Sequence, residues 1–162
     1  MVAKFDLGKI KAKLDGVTKD FEGMVAQIGV PSGIQYEDGT SVATVAAIQE
    51  WGAPAMKIPP RPFFRPTIQK KQQYWIDVIK AALPNVSNGS ASAFDVLDHV
   101  GRVAALDIQE TIAGIYSPTL SERTLAARRA KGNTSDKPLN DTGLMQASIR
   151  NGVAKEGEEF HV

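Results

Sequence analysis

The chain has 162 residues, the size of one globular domain and long enough to bury a core without a metal or disulfide staple. It holds no cysteine, two histidines far apart (His99 and His161), and 19 basic against 18 acidic residues, a net charge of +1. These numbers exclude a disulfide framework, thiol chemistry, cysteine-ligated metal and a chain-wide polybasic surface, and 43% hydrophobic with 23% charged residues excludes a disordered chain.

Phe5, Ile10, Leu14 and Val17 recur near helical spacing and predict a short amphipathic helix over roughly 5–15, with Lys9–Lys13 on its solvated side. Met1–Asp6 lacks the apolar core of a secretion signal, and no run approaches the ~18 apolar residues of a membrane span, so a cytoplasmic protein is expected. Met24–Val30 reads as a strand stopped by Pro31-Ser32-Gly33, with Ile34-Gln35-Tyr36 as its expected hairpin partner. Thr40 or Ser41 can cap the next helix, along which Val42, Val45, Ile48 and Trp51 share one side and which Gly52 ends. Residues 53–66 then form an extended arm, because Pro54, Pro59, Pro60 and Pro62 fix φ and remove donors. Helix resumes after Pro62, tolerates Pro66 in its first turn and runs to about Leu83, with Ile68, Trp75, Ile76, Ile79 and Leu83 as its apolar face.

Pro84–Ser90 reads as a loop. Ser92 with Asp95 resembles a capping box, and Phe94, Leu97, Gly101, Ala104, Ile108, Ile112 and Ile115 form the stripe of a long helix over 92–116, roughly 37 Å at 1.5 Å per residue. Residues 117–140 hold few large apolar side chains (Leu120, Leu125 and Leu139) beside Arg123, Arg128, Arg129, Lys131 and Lys137, with a short helix from Ser121 to Ala130 and a loop over Gly132–Pro138. Such a segment offsets little of the ~1–2 kcal/mol per residue that backbone ordering costs, so it is expected to be mobile in the free chain. Asp141 is expected to cap a small helix over Thr142–Ala147, and Ile149–Val162 to supply one or two strands. The reading is α+β: a single domain over 1–162, with a small antiparallel sheet packed by two longer helices, a proline-rich arm and a long C-terminal loop region.

Chemistry is sparse in this pattern. His99 lies beside Asp98 and one turn from Asp95, a pairing that could serve a hydrolase as general base, but no serine, cysteine or metal partner accompanies it. Asp6, Asp15, Asp20 and Glu22 lack calcium-loop spacing, and Gly29-Val30-Pro31-Ser32-Gly33 lacks the lysine of a phosphate loop. No enzyme activity, cofactor or metal is expected. Contact residues are better marked. Arg61 and Arg65 flank Phe63-Phe64 on a proline-stiffened arm, the residue types of binding hot spots. Arg123, Arg128, Arg129 and Lys131 could approach an acidic partner or DNA, which keeps a small nucleic-acid-binding module open as an alternative.

Two motif blocks carry a resemblance. Ala46-Ala47-Ile48-Gln49-Glu50-Trp51-Gly52 followed by Ile58-Pro59-Pro60-Arg61-Pro62-Phe63-Phe64-Arg65-Pro66 resembles the core of bacteriophage virion morphogenesis proteins. Leu120-Ser121, Thr124, Arg129, Lys131-Gly132, Lys137-Pro138-Leu139-Asn140-Asp141-Thr142-Gly143 and Ser148-Ile149 are similar to the same family's C-terminal pattern. The resemblance covers roughly residues 24–153; it departs at Trp51, where phenylalanine is usual, and at Met145, where leucine is expected, and residues 84–100 match nothing in it. It implies a tail-completion, or neck, protein of long-tailed double-stranded-DNA phages, with a tail terminator or head-closure ring protein as the nearest alternative. The implied state is a homo-oligomeric ring, in the family six copies, between head-connector or portal-side proteins and tail-terminator or tail-tube proteins. The implied location is the virion, after assembly in the host cytoplasm and near the DNA in the channel, with no cofactor, catalytic residue or membrane. Arg61, Phe63, Phe64, Arg65, Arg123, Arg128, Arg129 and Lys131 are then the expected interface, and Asp141, Thr142 and Gly143 a structural cap.

Overall fold

The computed structural model describes residues 7–158. In chain order it runs α1 (Leu7–Asp20), β1 (Met24–Gly29), α2 (Val42–Trp51), a 3-10 turn (Pro54–Met56), α3 (Phe64–Ser87), α4 (Ala93–Ala113), α5 (Glu122–Ala130), α6 (Leu144–Ala147) and β2 (Arg150–Lys155). The architecture is α+β: a two-stranded antiparallel sheet against several helices. The predicted residues 5–6 of the first helix lie outside the described residues.

Capping chemistry sets most helix starts. Ser41, Ser92 and Ser121 each accept a first-turn amide, from Thr44, Asp95 and Thr124, and Asp95 returns the bond to Ser92 in a complete capping box. Those bonds to Ser92 hold the Asp95 carboxyl below its ordinary value. Gly52 closes α2 at φ 77, where a Cβ would stand 3.0 Å from Pro60 and 3.1 Å from the Ile58 carbonyl, so glycine is required twice over.

The spine of the molecule is α4. It buries Val96, Leu97, Val100, Gly101, Ala104, Ala105, Ile108 and Ile112. Its exposed Phe94 departs from the predicted stripe, and the helix ends at Ala113, three residues short of the predicted end. α3 lies along it, pinned by Thr67 Oγ1 to Thr111 Oγ1 (2.6 Å), Trp75 Nε1 to Asp107 (2.7 Å) and the Lys71–Asp107 ion pair (2.9 Å). That pinning presents Thr67, Lys71 and Trp75 to α4, so Ile68 and Ile76 of the predicted apolar face are exposed instead. α3 also continues through Pro84 to Ser87. The Asn88 amide still reaches the Pro84 carbonyl and Val86 is buried, which corrects the predicted loop over 84–90.

The sheet corrects the predicted hairpin. β1 pairs with β2 over the full register from Met24↔Lys155 to Gly29↔Arg150, while Ile34–Tyr36 folds on a local turn in which Tyr36 and Val42 amides donate to Thr40 and Ile34 carbonyls. The distant pairing wins because it lays an unbroken ladder on α4. There Asn151 fits against Gly101, where a Cβ would come within 3.0 Å, and donates to Asp98 (2.8 Å). Val42, Phe63, Ile108, Ile112, Leu139, Met145 and Ile149 form the core beneath. Among the described residues no helix is long and apolar enough to cross a membrane.

Candidate functional site

The buried face of α2 is Val42, Ala46 and Glu50, an i, i+4, i+8 series, rather than the predicted Val42, Val45, Ile48 and Trp51. This rotation puts Glu50 inside and Trp51 outside. Phe63 gives α3 no side-chain cap, so the first turn leaves amides without intrahelical partners. The Glu50 carboxylate supplies the cap from another element. It accepts the Phe63 amide at 2.7 Å, the Phe64 amide at 2.9 Å, and from Arg65 both the amide (3.2 Å) and Nε (2.9 Å). Burial pushes the Glu50 carboxyl upward. The Arg65 guanidinium and the three amides outweigh that push and hold it below its ordinary value.

Arg65 returns the contact: Nη2 donates to the Glu50 carbonyl at 2.9 Å, and its guanidinium lies 3.9 Å from the centre of the Trp51 ring. Trp51 and Met56 are each 65% exposed, Met56 within a tight corner closed by the Ala53–Ile58 bridge and Trp51 just before it. Phe63 is wholly buried, and Phe64 packs against it, half-buried, with ring centroids 4.9 Å apart.

Arg61 is also inside, 5% exposed. Nε donates to the Pro118 carbonyl (2.7 Å), Nη1 to Gln49 Oε1 (3.1 Å) and Nη2 to the Thr119 carbonyl (3.0 Å). Burial, then repulsion from Arg128, lowers its pKa from an ordinary value far above neutrality, so the group stays charged. Arg128, 6% exposed, does the same for the other loop, donating to the carbonyls of Ser135 (3.2 Å), Lys137 (2.7 Å), Pro138 (3.2 Å) and Asn140 (3.4 Å) and pairing with Asp141 (3.3 Å). Residues 117–140, expected to be mobile in the free chain, are tied to the rest of the fold through these bonds. Two guanidiniums satisfy its backbone carbonyls where apolar burial is thin.

Of the expected contact residues, then, Arg61, Phe63 and Arg128 face inward and hold the fold. Arg65, Arg123, Arg129 and Lys131 are exposed, and Arg129 approaches Glu122 at 3.5 Å. Asp141 is not the expected cap: its carboxylate accepts Asn133 Nδ2 at 2.7 Å. Thr142 Oγ1 instead accepts the Leu144 amide at 3.2 Å, and Gly143, in the left-handed region, precedes the first turn of α6. Asp141 also borders an open cleft of about 530 Å³ floored by Val45, Leu139, Leu144 and Met145. On its rim burial, then Asp141, then Asp38 raise the Tyr36 hydroxyl pKa. His99 is exposed, while Asp95 serves the Ser92 cap and Asp98 pairs with Arg102 at 2.8 Å, so neither carboxylate orients the imidazole. Among the described residues no cluster of three His, Cys, Asp or Glu side chains could hold a metal.

Sequence reading gave Glu50 and Met56 no role and put Trp51 on one side of the helix with Val42, Val45 and Ile48. The usable signal for Glu50 was its spacing of four from Ala46 and eight from Val42. No family model, curated protein or solved structure matches the chain.

Proposed function

We propose that the chain is a structural subunit of a phage neck: a tail-completion protein whose copies form a ring, of six in the resemblance, at the junction of head and tail. The reading rests on the resemblance of the two motif blocks. Its structural support is the corner built by the first block and the turn inside it, where exposed Trp51, Met56 and Arg65 stand on a base stiffened by Glu50, Arg61 and prolines. An exposed tryptophan under a guanidinium, held in place before any partner arrives, has the composition and preorganisation of a protein-contact hot spot. A tail-terminator or head-closure ring would use the same corner in the same way.

The test is a Trp51→Ala, Met56→Ala double variant. Both side chains are mostly exposed, so the melting transition should stay within about 0.5 kcal/mol of the parent. Joining of heads to tails should fail. Joined, infectious particles at parental yield would overturn the contact role.

A further inference from the structure

We infer that the two open edges of the β1–β2 ribbon join copies of this chain, the β1 edge of one copy to the β2 edge of the next; the inference rests on the ring reading and specifies its joint. The Glu156 amide donates to the Gly23 carbonyl at 2.8 Å, which sets the phase of the ladder. In that phase and the observed register, Val25/Ala154, Gln27/Gly152 and Gly29/Arg150 exchange the inter-strand bonds. The N–H and C=O groups of Ala26 and Ile28 on one edge, and of Asn151 and Val153 on the other, therefore point away from the ribbon. Among the described residues no backbone or side-chain group meets them.

Among the described residues the face toward α4 is packed; on the opposite face Gln27 Oε1 is buried without a partner, and both edges are open. Asn151 and Ile28 turn toward α4 and the core, while Gln27 on the opposite face donates to the Glu158 carbonyl at 2.8 Å in the turn after β2. Natural sheets guard open edges with charge, proline or a bulge. β1 (MVAQIG) has none of these, and β2 carries charge only at its ends, Arg150 and Lys155. A two-stranded sheet with two unguarded edges calls for another extended backbone, and the chain supplies one with matching length. Each strand has six residues, and a neighbour's β2 can run antiparallel to β1 just as the chain's own β2 does. Repeating that contact leaves no edge unpaired when the copies close head to tail. Pairing β1 with β1 would stop at two copies and leave both β2 edges bare.

Ala26→Pro and Val153→Pro each remove one outward N–H that the internal ladder does not use. Light scattering of the purified full chain should give several copies for the parent, one copy for each variant alone, and a two-copy complex for an equimolar mixture, in which one sound edge of each kind remains. Variants that keep the parental mass would overturn the edge joint and leave the ring reading standing. A two-copy Val153→Pro species would overturn the head-to-tail arrangement, and a parent that stays single at every concentration would overturn both readings. Should a variant misfold by circular dichroism, amide exchange on the parent decides. Protection at Ala26, Ile28, Asn151 and Val153 should rise at least tenfold with assembly, and concentration-independent protection would refute the joint.

Discussion

Glu50 and Arg65 close a clasp of three bonds: the arginine donates Nε and its own amide to the Glu50 carboxylate, and its Nη2 to the Glu50 carbonyl at 2.9 Å. The clasp joins the last turn of α2 to the first turn of α3, and a buried anion at that N-terminus also complements the helix dipole. Its outer surface is Trp51. The same bonds that fold the corner thus position the exposed aromatic.

Glu50→Ala should cost about 3 kcal/mol, because it strands first-turn amides and the partner guanidinium, and Glu50→Gln should cost less. The pH dependence has a definite sign. With the folded carboxyl below its ordinary 4.5, the Glu50 contribution is complete above that value and is lost as pH falls toward and through the folded value. Urea titrations in the acid range should show a falling limb in the parent and a flatter one in Glu50→Gln. An identical limb in both would remove Glu50 from the account.

Arg61→Ala and Arg65→Ala should separate. Arg61 carries three inward hydrogen bonds and its loss should cost about 2–3 kcal/mol, whereas Arg65 has a half-exposed side chain and its loss should cost about 1–2 kcal/mol. Hydrogen exchange around Ser117–Leu120 should accelerate only in Arg61→Ala. Equal effects at both sites would contradict the inward role.

Arg128→Ala should open the 131–141 loop, since four carbonyls lose a guanidinium donor and, among the described residues, only that of Lys137 keeps another, the Asn140 amide. Limited chymotrypsin should spare buried Leu139 in the parent, and the variant should be cut after Leu139 at least tenfold faster. An unchanged digestion pattern would show that the loop holds without the guanidinium.

Asp141→Ala and Thr142→Ala should act in different places. Loss of the Asp141 carboxylate leaves Asn133 Nδ2 only the Asp141 carbonyl (2.8 Å), removes the Arg128 pair and costs about 1 kcal/mol in the loop. Loss of the Thr142 hydroxyl costs about 0.5–1 kcal/mol at the start of α6. Exchange rates at Asn133–Ser135 against Leu144–Ala147 distinguish them, and a cap role for Asp141 would reverse the assignment.

Local chemistry was legible before any coordinates. Ser41, Gly52, the Ser92–Asp95 box and Ser121 mark boundaries because caps act within a turn of their own position. What failed was long-range or rotational. The β1 partner lies more than a hundred residues away, and the nearby Pro31-Ser32-Gly33 and Asp38-Gly39 turns favoured a local hairpin instead. Trp51 reads as sharing a helix side with Val42, Val45 and Ile48, yet with Glu50 turned inward to the α3 amides the next residue turns outward. Arg61 and Arg128 read as contacts because an arginine's partners, here loop carbonyls, leave no trace in residue type.

The central claim is tested most directly by electron microscopy of particles assembled when this chain is absent, through a stop codon after Val30 with the rest of the phage intact. The account predicts complete heads and complete tails that remain separate, rejoined when the parental chain is supplied in trans and not when the Trp51→Ala, Met56→Ala form is. Joined particles in normal number without the chain would contradict it.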